Sequence, residues 1–374
     1  MELWKRILFF ITPLFFLVSC SNDDQIVVEN KISLFQEKNI YEIMQPAKSN
    51  VSRGLILINI NNILNVTEIE QGLMELSVNH FSTNKFYMQE GQYLEENIIS
   101  QWLDRKSKEG FGLNPSIKDS TGDVVKDQKN NPRILSHVLE QNFINKENGK
   151  LEGISLAISL NEFYDFRVTD DNGLVHTGQV KVDSNDDNVN YVENYGKEIA
   201  EVIIKDIRNN NKIPNVPIYL TLYQESNING ILPGIFLAET FIPEGDRIDK
   251  WTDIDIKNYT FPSDSLYSLD KGTYDKLLIF KEDIQKLFGH LNPKISGKLR
   301  YQNGELIDLK IDVSVPLIND PELIGLLQLT GDKINTVLVD YLPIPITITF
   351  TDLKQNVGII IWDPIKKQLY ARPI

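Results

Sequence analysis

The sequence predicts an α+β protein built of two related units, in which antiparallel hairpins pack against helices. Three observations predict it. Segments with strand periodicity alternate along the chain with segments of helical periodicity. Two Asn-Gly pairs, Asn172-Gly173 and Asn303-Gly304, stand between apolar runs, where a hairpin turn needs residues that tolerate positive φ. Finally, FYMQEGQYLEENIISQW (86–102) aligns without gaps on IFLAETFIPEGDRIDKW (235–251), with identities at Glu90/Glu239, Glu95/Glu244, Ile99/Ile248 and Trp102/Trp251.

The elements follow in order. Residues 54–58 read as a strand. Residues 67–81 read as a helix with Ile69, Leu73, Leu76 and His80 on one face, and 97–106 as a second, short helix. Gly110 to Pro115 breaks the pattern as a loop, and 116–131 is polar and exposed. Residues 133–143 show helical spacing. Residues 154–160 and 175–182 read as strands joined through Asn172-Gly173, and 192–207 as an amphipathic helix carried by Ile199, Val202, Ile203 and Ile207. Residues 217–222 and 235–242 are strands and 274–288 is a helix. Residues 295–301 and 305–315 form a hairpin across Asn303-Gly304. A helix over 321–342 takes Asp320 as N-cap and Pro321 at its first position. A strand at 345–350 and a hairpin of 357–362 with 369–372 close the chain.

These elements divide into a first unit over 51–212 and a second over 213–374, with the boundary anywhere from about 210 to 226. Residues 217–222 either end the first unit, as 345–350 ends the second, or begin the second. The second unit has no counterpart of the 67–81 helix. The alternative is that any two α+β units share strand–helix order without common descent.

Composition bounds the function. Hydrophobic residues are 41% and charged residues 24% of 374, enough for a sizeable core. The net charge of −14 argues against nucleic acid and against a polybasic membrane surface, both of which need clustered Lys and Arg. With one cysteine there is no internal disulfide and no Cys-based zinc site. His80, His137, His176 and His290 include no pair at ligand spacing, so neither a metal nor another cofactor is expected. No GxSxG, HExxH, P-loop or GxGxxG occurs, and no catalytic residue is assigned. The run Asp170-Asp171-Asn172-Gly173 lacks the glutamate that a calcium loop needs at its twelfth position, where Lys181 stands. Around Gly91, residues Gln92 and Tyr93, with Trp102 further on, are the candidate binding surface for a cell-wall or peptide partner. Trp102 could instead be a core anchor.

The N-terminus is the most specific feature. Lys5 and Arg6 precede an apolar run over 7–18, too short to span a membrane but right for a signal peptide over 1–19. Leu17-Val18-Ser19-Cys20 has the form of a bacterial lipobox. Cleavage between Ser19 and Cys20 would leave the only cysteine as a diacylated N-terminus on the extracytoplasmic face of the membrane. Residues 20–50 are polar and read as a flexible tether, about 30 Å in root-mean-square reach.

Several segments together resemble one family. RGLILINI, GLMELSVNHFSTNKFYMQEGQYLEENIISQWLDRK, GLNP, VPIYLTLYQ, LPGIFLAETFI, Trp251 and FPSD (261–264) are similar to the CamS sex-pheromone precursor lipoproteins of Gram-positive bacteria, over about 53–373. The resemblance implies a lipidated cell-surface protein without enzymatic activity. It also implies that the end of the signal peptide is released as a pheromone-like heptapeptide: Pro13, Leu14, Phe15, Phe16, Leu17, Val18 and Ser19. That peptide departs from the aliphatic Ala-Ser ending of the best-known family peptide.

Overall fold

A computed structural model describes residues 40–374 except 51, 61, 109, 183–189, 211 and 354. The expectations for the signal peptide, Cys20 and the heptapeptide lie outside these residues.

The chain enters the fold earlier than a tether over 20–50 would have it. Tyr41 is buried, its hydroxyl donates to the Phe81 carbonyl, and its ring lies 5.1 Å from that of Phe143. Glu42–Ile43 (β1) pairs with a later strand. Helices Arg53–Asn59 (α1) and Ile63–Ser77 (α2) follow. The strand expected at 54–58 is thus a helix. Ile56 and Ile60, four apart, are buried together, while Leu57 and Ile58 between them face water. Asn62 caps α2 by accepting from the Leu64 amide at 2.9 Å.

Next come Phe86–Glu90 (β2), Glu96–Leu103 (α3), Val124–Asn130 (α4), Leu135–Asn145 (β3) and Leu151–Asn161 (β4). The helix α4 interrupts a stretch expected to be loop. Asp123 caps it, and the buried Asp127 accepts from the Thr121 amide at 2.8 Å. The helix expected at 133–143 is the interior strand β3, and ten of its eleven residues are buried. Its apolar spacing (Ile134, Leu135, Val138) mimics a helix because both faces of the strand are covered, which abolishes the alternation expected of a half-buried strand.

Phe163–Thr169 (β5) and Val175–Lys181 (β6) form the hairpin around Asn172-Gly173, with Gly173 at φ +81°. The 154–160 strand is not its partner. Then follow Tyr191–Asn209 (α5), Ile218–Glu225 (β7), Ile235–Ile242 (β8), Thr252–Asp253 (β9) and Ile256–Phe261 (β10). After them come Asp264–Leu269 (α6), Lys271–Leu287 (α7), Lys294–Gln302 (β11), Glu305–Ser314 (β12) and Asp320–Thr336 (α8). Ile346–Asp352 (β13), Gln355–Asp363 (β14) and Gln368–Pro373 (β15) close the chain. The cap of α8 is Asn319, one residue before the expected Asp320. A capping box with Glu322 favours it, since each side chain bonds the other's backbone amide.

The larger sheet has the order β1-β2-β3-β4-β7-β8-β9, the second β10-β11-β12-β13-β14-β15, and β5-β6 stand apart. Residues 218–253 therefore complete the first sheet. The division between sheets falls between Asp253 and Ile256, not between 212 and 213.

The two sheets share one grammar. From β2 to β9 the neighbouring strands run antiparallel, antiparallel, parallel, antiparallel, antiparallel. From β10 to β15 they run in the same sequence. The parallel step is bridged by α5 in one and by α8 in the other, as a crossover requires. The units are thus related in topology but in a different register from the sequence alignment. That alignment set β2 against β8, whereas the counterpart of β2 is β10, and β7 corresponds to β13. The counterpart of the Asn303-Gly304 turn is Asn148-Gly149, with Gly149 at φ +66°.

Three cores follow. On one face of the first sheet α3 and α5 cover Leu156, Ile158, Leu160, Leu220 and Leu222. On the other, α1 and α2 cover Phe143, Ala157, Tyr219 and Tyr223. The second sheet buries one face, against α7 and α8, around Phe280, Leu309, Ile348 and Phe350. Its other face carries the more exposed Lys298, Lys310 and Thr349.

Candidate functional site

The candidate residues do not form one surface. Trp102, on α3, is 1% exposed, and its indole Nε1 donates to Asp206 Oδ2 of α5 at 2.9 Å. It joins two helices and is closed to a ligand. Gln92 and Tyr93 are half-buried at the corner between β2 and α3, wrapped around the carboxylate of Glu140 from β3. That carboxylate accepts from the amides of Tyr93 (3.1 Å) and Leu94 (2.8 Å) and from Asn142 Nδ2 (2.6 Å). Burial pushes the Glu140 pKa up and these hydrogen bonds pull it back. Gly91 is required, because a Cβ there would lie 2.5 Å from that of Glu140. The Gln92 side chain donates to the carbonyls of Glu90 and Gly91 at 3.1 and 3.0 Å. The corner satisfies its own polar groups and holds β2, α3 and β3 together.

The histidines and acids are structural as well. His80 stacks on Phe241 at 4.5 Å and lies tilted against Tyr219 at 4.6 Å. Asp170 caps the β5–β6 turn, accepting from the amides of Asn172 and Leu174, each at 2.9 Å, and pairs with His176 at 2.9 Å. Among the described residues no group of three His, Cys, Asp or Glu side chains is placed to hold a metal ion.

Two buried groups were not legible in the sequence. His137 is lowered by burial to about 4. Glu225, at the end of β7, accepts from Ser159 Oγ at 2.7 Å and from Ser136 Oγ, and burial raises it to about 7. Nothing in local spacing marks them, because their burial, and the meeting of Glu225 with Ser136 and Ser159, come only when β3, β4 and β7 align.

A cleft of about 570 Å³ lies at the other end of α3, lined by Gln101, Asp104, Arg105, Ser107, Phe111 and Arg133. Beside the lining residues, Gly112-Leu113-Asn114-Pro115 runs back against the end of α3, with the Leu113 amide donating to the Trp102 carbonyl and the Asn114 amide to that of Asp104. Gly112 passes so close to the chain that a Cβ would lie 2.3 Å from the Arg105 carbonyl. Asn114 is fully buried. Its Nδ2 donates to the carbonyls of Leu103 and Leu135, each at 2.9 Å, and its Oδ1 accepts from the amides of Ile134 (2.7 Å) and Leu135 (2.9 Å). One side chain thus ties the end of α3 to the start of β3. Arg105 donates to the Pro115 carbonyl and to Gln128 Oε1, both at 2.8 Å, and Arg133 donates to the Leu103 carbonyl at 2.8 Å. Among the described residues neither arginine forms an ion pair with a carboxylate. Burial, and then the neighbouring Arg133, lower the Arg105 pKa.

Comparison with known proteins bears on the whole chain. The profile of the CamS sex pheromone cAM373 precursor family matches residues 48–367. A sex pheromone precursor from Lactobacillus salivarius subsp. salivarius UCC118 has a similar structure, with a TM-score of 0.73 at 24% identity, over 87% of this chain and 93% of that one. The C-terminal domain of the sex pheromone staph-cAM373 precursor from Staphylococcus aureus matches with a TM-score of 0.68 at 23% identity, over 84% of this chain and 98% of that one. At these identities the two likenesses speak for the fold. No curated protein matches the sequence. By the extent of its profile match, this chain belongs to the CamS sex pheromone cAM373 precursor family.

Proposed function

We propose that the chain is a cell-surface lipoprotein, cleaved between Ser19 and Cys20 and held on the extracytoplasmic face of the membrane by a diacylated Cys20. The observation that carries this reading is the lipobox Leu17-Val18-Ser19-Cys20, which holds the only cysteine of the chain directly after a short apolar run. Two acyl chains give stable attachment where one gives only marginal binding. The spacing to the fold supports it: about 20 residues separate Cys20 from the buried Tyr41, a reach of at most ~70 Å when extended. Among the described residues no helix is long and apolar enough to cross a membrane. The folded part acts without catalysis, and the leader yields the heptapeptide Pro13–Ser19.

Palmitate labelling tests the anchor. The natural chain takes up label and Cys20→Ser does not; a labelled Cys20→Ser chain refutes the acylation site. Mass spectrometry of the medium tests release, and a leader degraded without the heptapeptide overturns that part alone.

A further inference from the structure

We propose that the cleft between α3 and β3 binds a phosphate group carried on a sugar ring, with Arg105 and Arg133 holding the phosphate and Phe111 packing on the ring. The proposal is independent of the lipid anchor. It starts from charge. The chain carries −14 overall, yet two arginines line one cleft with no carboxylate paired to either among the described residues. The groups that act most strongly on Arg105 are Tyr164, Arg133 and Tyr195, none of them a carboxylate. Two guanidiniums near one another repel, and a half-buried one is desolvated as well. Such a pair is stabilised by an anion that reaches both.

The donors are held in place. Arg105 hydrogen-bonds the Pro115 carbonyl, Gln128 and the Tyr164 side chain, and its guanidinium lies 6.0 Å from the Tyr164 ring. Arg133 uses one on Leu103. Donors beyond these can serve a ligand, and the buried Asn114 fixes the backbone that positions both. A phosphate fits better than a carboxylate. Its tetrahedral oxygens meet two forks from different directions, whereas a planar carboxylate is satisfied by one.

The rest of the lining suits a ring bearing hydroxyls. Gln101, Asp104 and Ser107 offer hydrogen-bond partners, and Phe111 is 48% exposed at the rim, where it can cover the apolar face of a sugar. The volume of about 570 Å³ lies within the range of small-molecule sites. The phosphate can come from a free sugar phosphate or from a phosphodiester glycopolymer, and the probes separate these.

The test is calorimetric titration of the full chain at low ionic strength with glucose, inorganic phosphate, glucose 6-phosphate and a short phosphodiester-linked glucose oligomer. Glucose 6-phosphate or the oligomer should bind at least about tenfold more tightly than glucose, and salt should weaken the binding. The tighter of the two identifies the source. Arg133→Ala and Arg105→Lys should each weaken it about tenfold. The Lys variant keeps the charge and loses the fork, and circular dichroism checks that both fold. Phe111→Ala should weaken glucose 6-phosphate about threefold and leave inorganic phosphate unchanged. Binding no tighter than that of glucose, or unaffected by both arginine variants, overturns the proposal. A Phe111→Ala chain with unaltered glucose 6-phosphate binding overturns the placement of the ring.

Discussion

Replacing Asn114 by alanine should unfasten the corner that joins α3 to β3. The magnitude follows from its four hydrogen bonds. The Leu103 carbonyl keeps a donor in Arg133, so three groups lose the side chain's bond: the amides of Ile134 and Leu135 and the Leu135 carbonyl. A buried polar group left unsatisfied costs about 1–3 kcal/mol, and water entering the vacated space recovers part of it. The expected loss is therefore about 3–6 kcal/mol, a large share of the ~5–15 kcal/mol that holds a typical domain together. Urea unfolding followed by circular dichroism measures it, and amide hydrogen exchange at Ile134 and Leu135 reports whether the loss is local. Asn114→Asp is the control. It keeps the acceptor for the two amides but sets a carboxylate oxygen against the carbonyls of Leu103 and Leu135. At neutral pH it should be at least as damaging as alanine. Below about pH 4 protonation restores one donor and part of the stability. A loss under about 1 kcal/mol in Asn114→Ala, or an aspartate variant as stable as the natural chain at neutral pH, would show that the motif is not the fastening described here.

Glu225→Gln should change how stability depends on pH. The folded pKa is raised from 4.5 to about 7, so between those values the folded chain holds a proton that the unfolded chain has lost. Stability from this group is present below 4.5 and falls as pH rises through 7, by about 3 kcal/mol. His137, lowered from 6.5 to about 4, slopes the other way, losing stability as pH falls through that window. Its effect is common to both chains and cancels in their difference. Thermal unfolding from pH 4 to 8 should show the glutamine variant gaining on the natural chain as pH rises; a flat difference contradicts the assignment. Two glycines should separate crowding from backbone strain. Gly153→Ala brings a Cβ within 2.1 Å of the Phe81 ring, itself stacked on Phe143, and should cost about 1–3 kcal/mol. Gly304→Ala meets open space at φ +79° and should cost about 1 kcal/mol, through the backbone alone. Equal melting temperatures for the two variants would overturn that distinction.

Where one face of an element meets water, the sequence was a good guide. The β11–β12 hairpin lies on either side of Asn303-Gly304, where both turn residues have positive φ. Helices α5 and α7 follow their apolar periodicity except at the exposed Val202, while α2 begins and ends four residues before the expected 67–81 and leaves His80 beyond its end. Legibility failed where both faces are covered. Strand β3 reads as a helix because polar residues such as His137 and Glu140 are buried in it, so polarity no longer marks the outside. Helix α1 is the exception among elements with a face to water: it reads as a strand because its apolar run continues onto the exposed Leu57 and Ile58. The repeat was visible as grammar but not in register, since the shared feature is the order of strand directions and the two sheets need no common residues to keep it.

The sequence by itself determined the family, the α+β class, the hairpin turns and the lipobox pattern at Cys20. These rest on local chemistry: which residues tolerate positive φ, where apolar side chains recur, and which short runs a signal peptide requires. Only the tertiary structure decided what Trp102, Gln92 and Tyr93 do, where one sheet ends and the next begins, and that Arg105 and Arg133 share a cleft. Those outcomes depend on partners about 30 to 100 positions away, such as Asp206 for Trp102, Glu140 for Tyr93 and Arg133 for Arg105. No local pattern encodes such distances. They are set when burial of the strands on both faces fixes the register of the sheet.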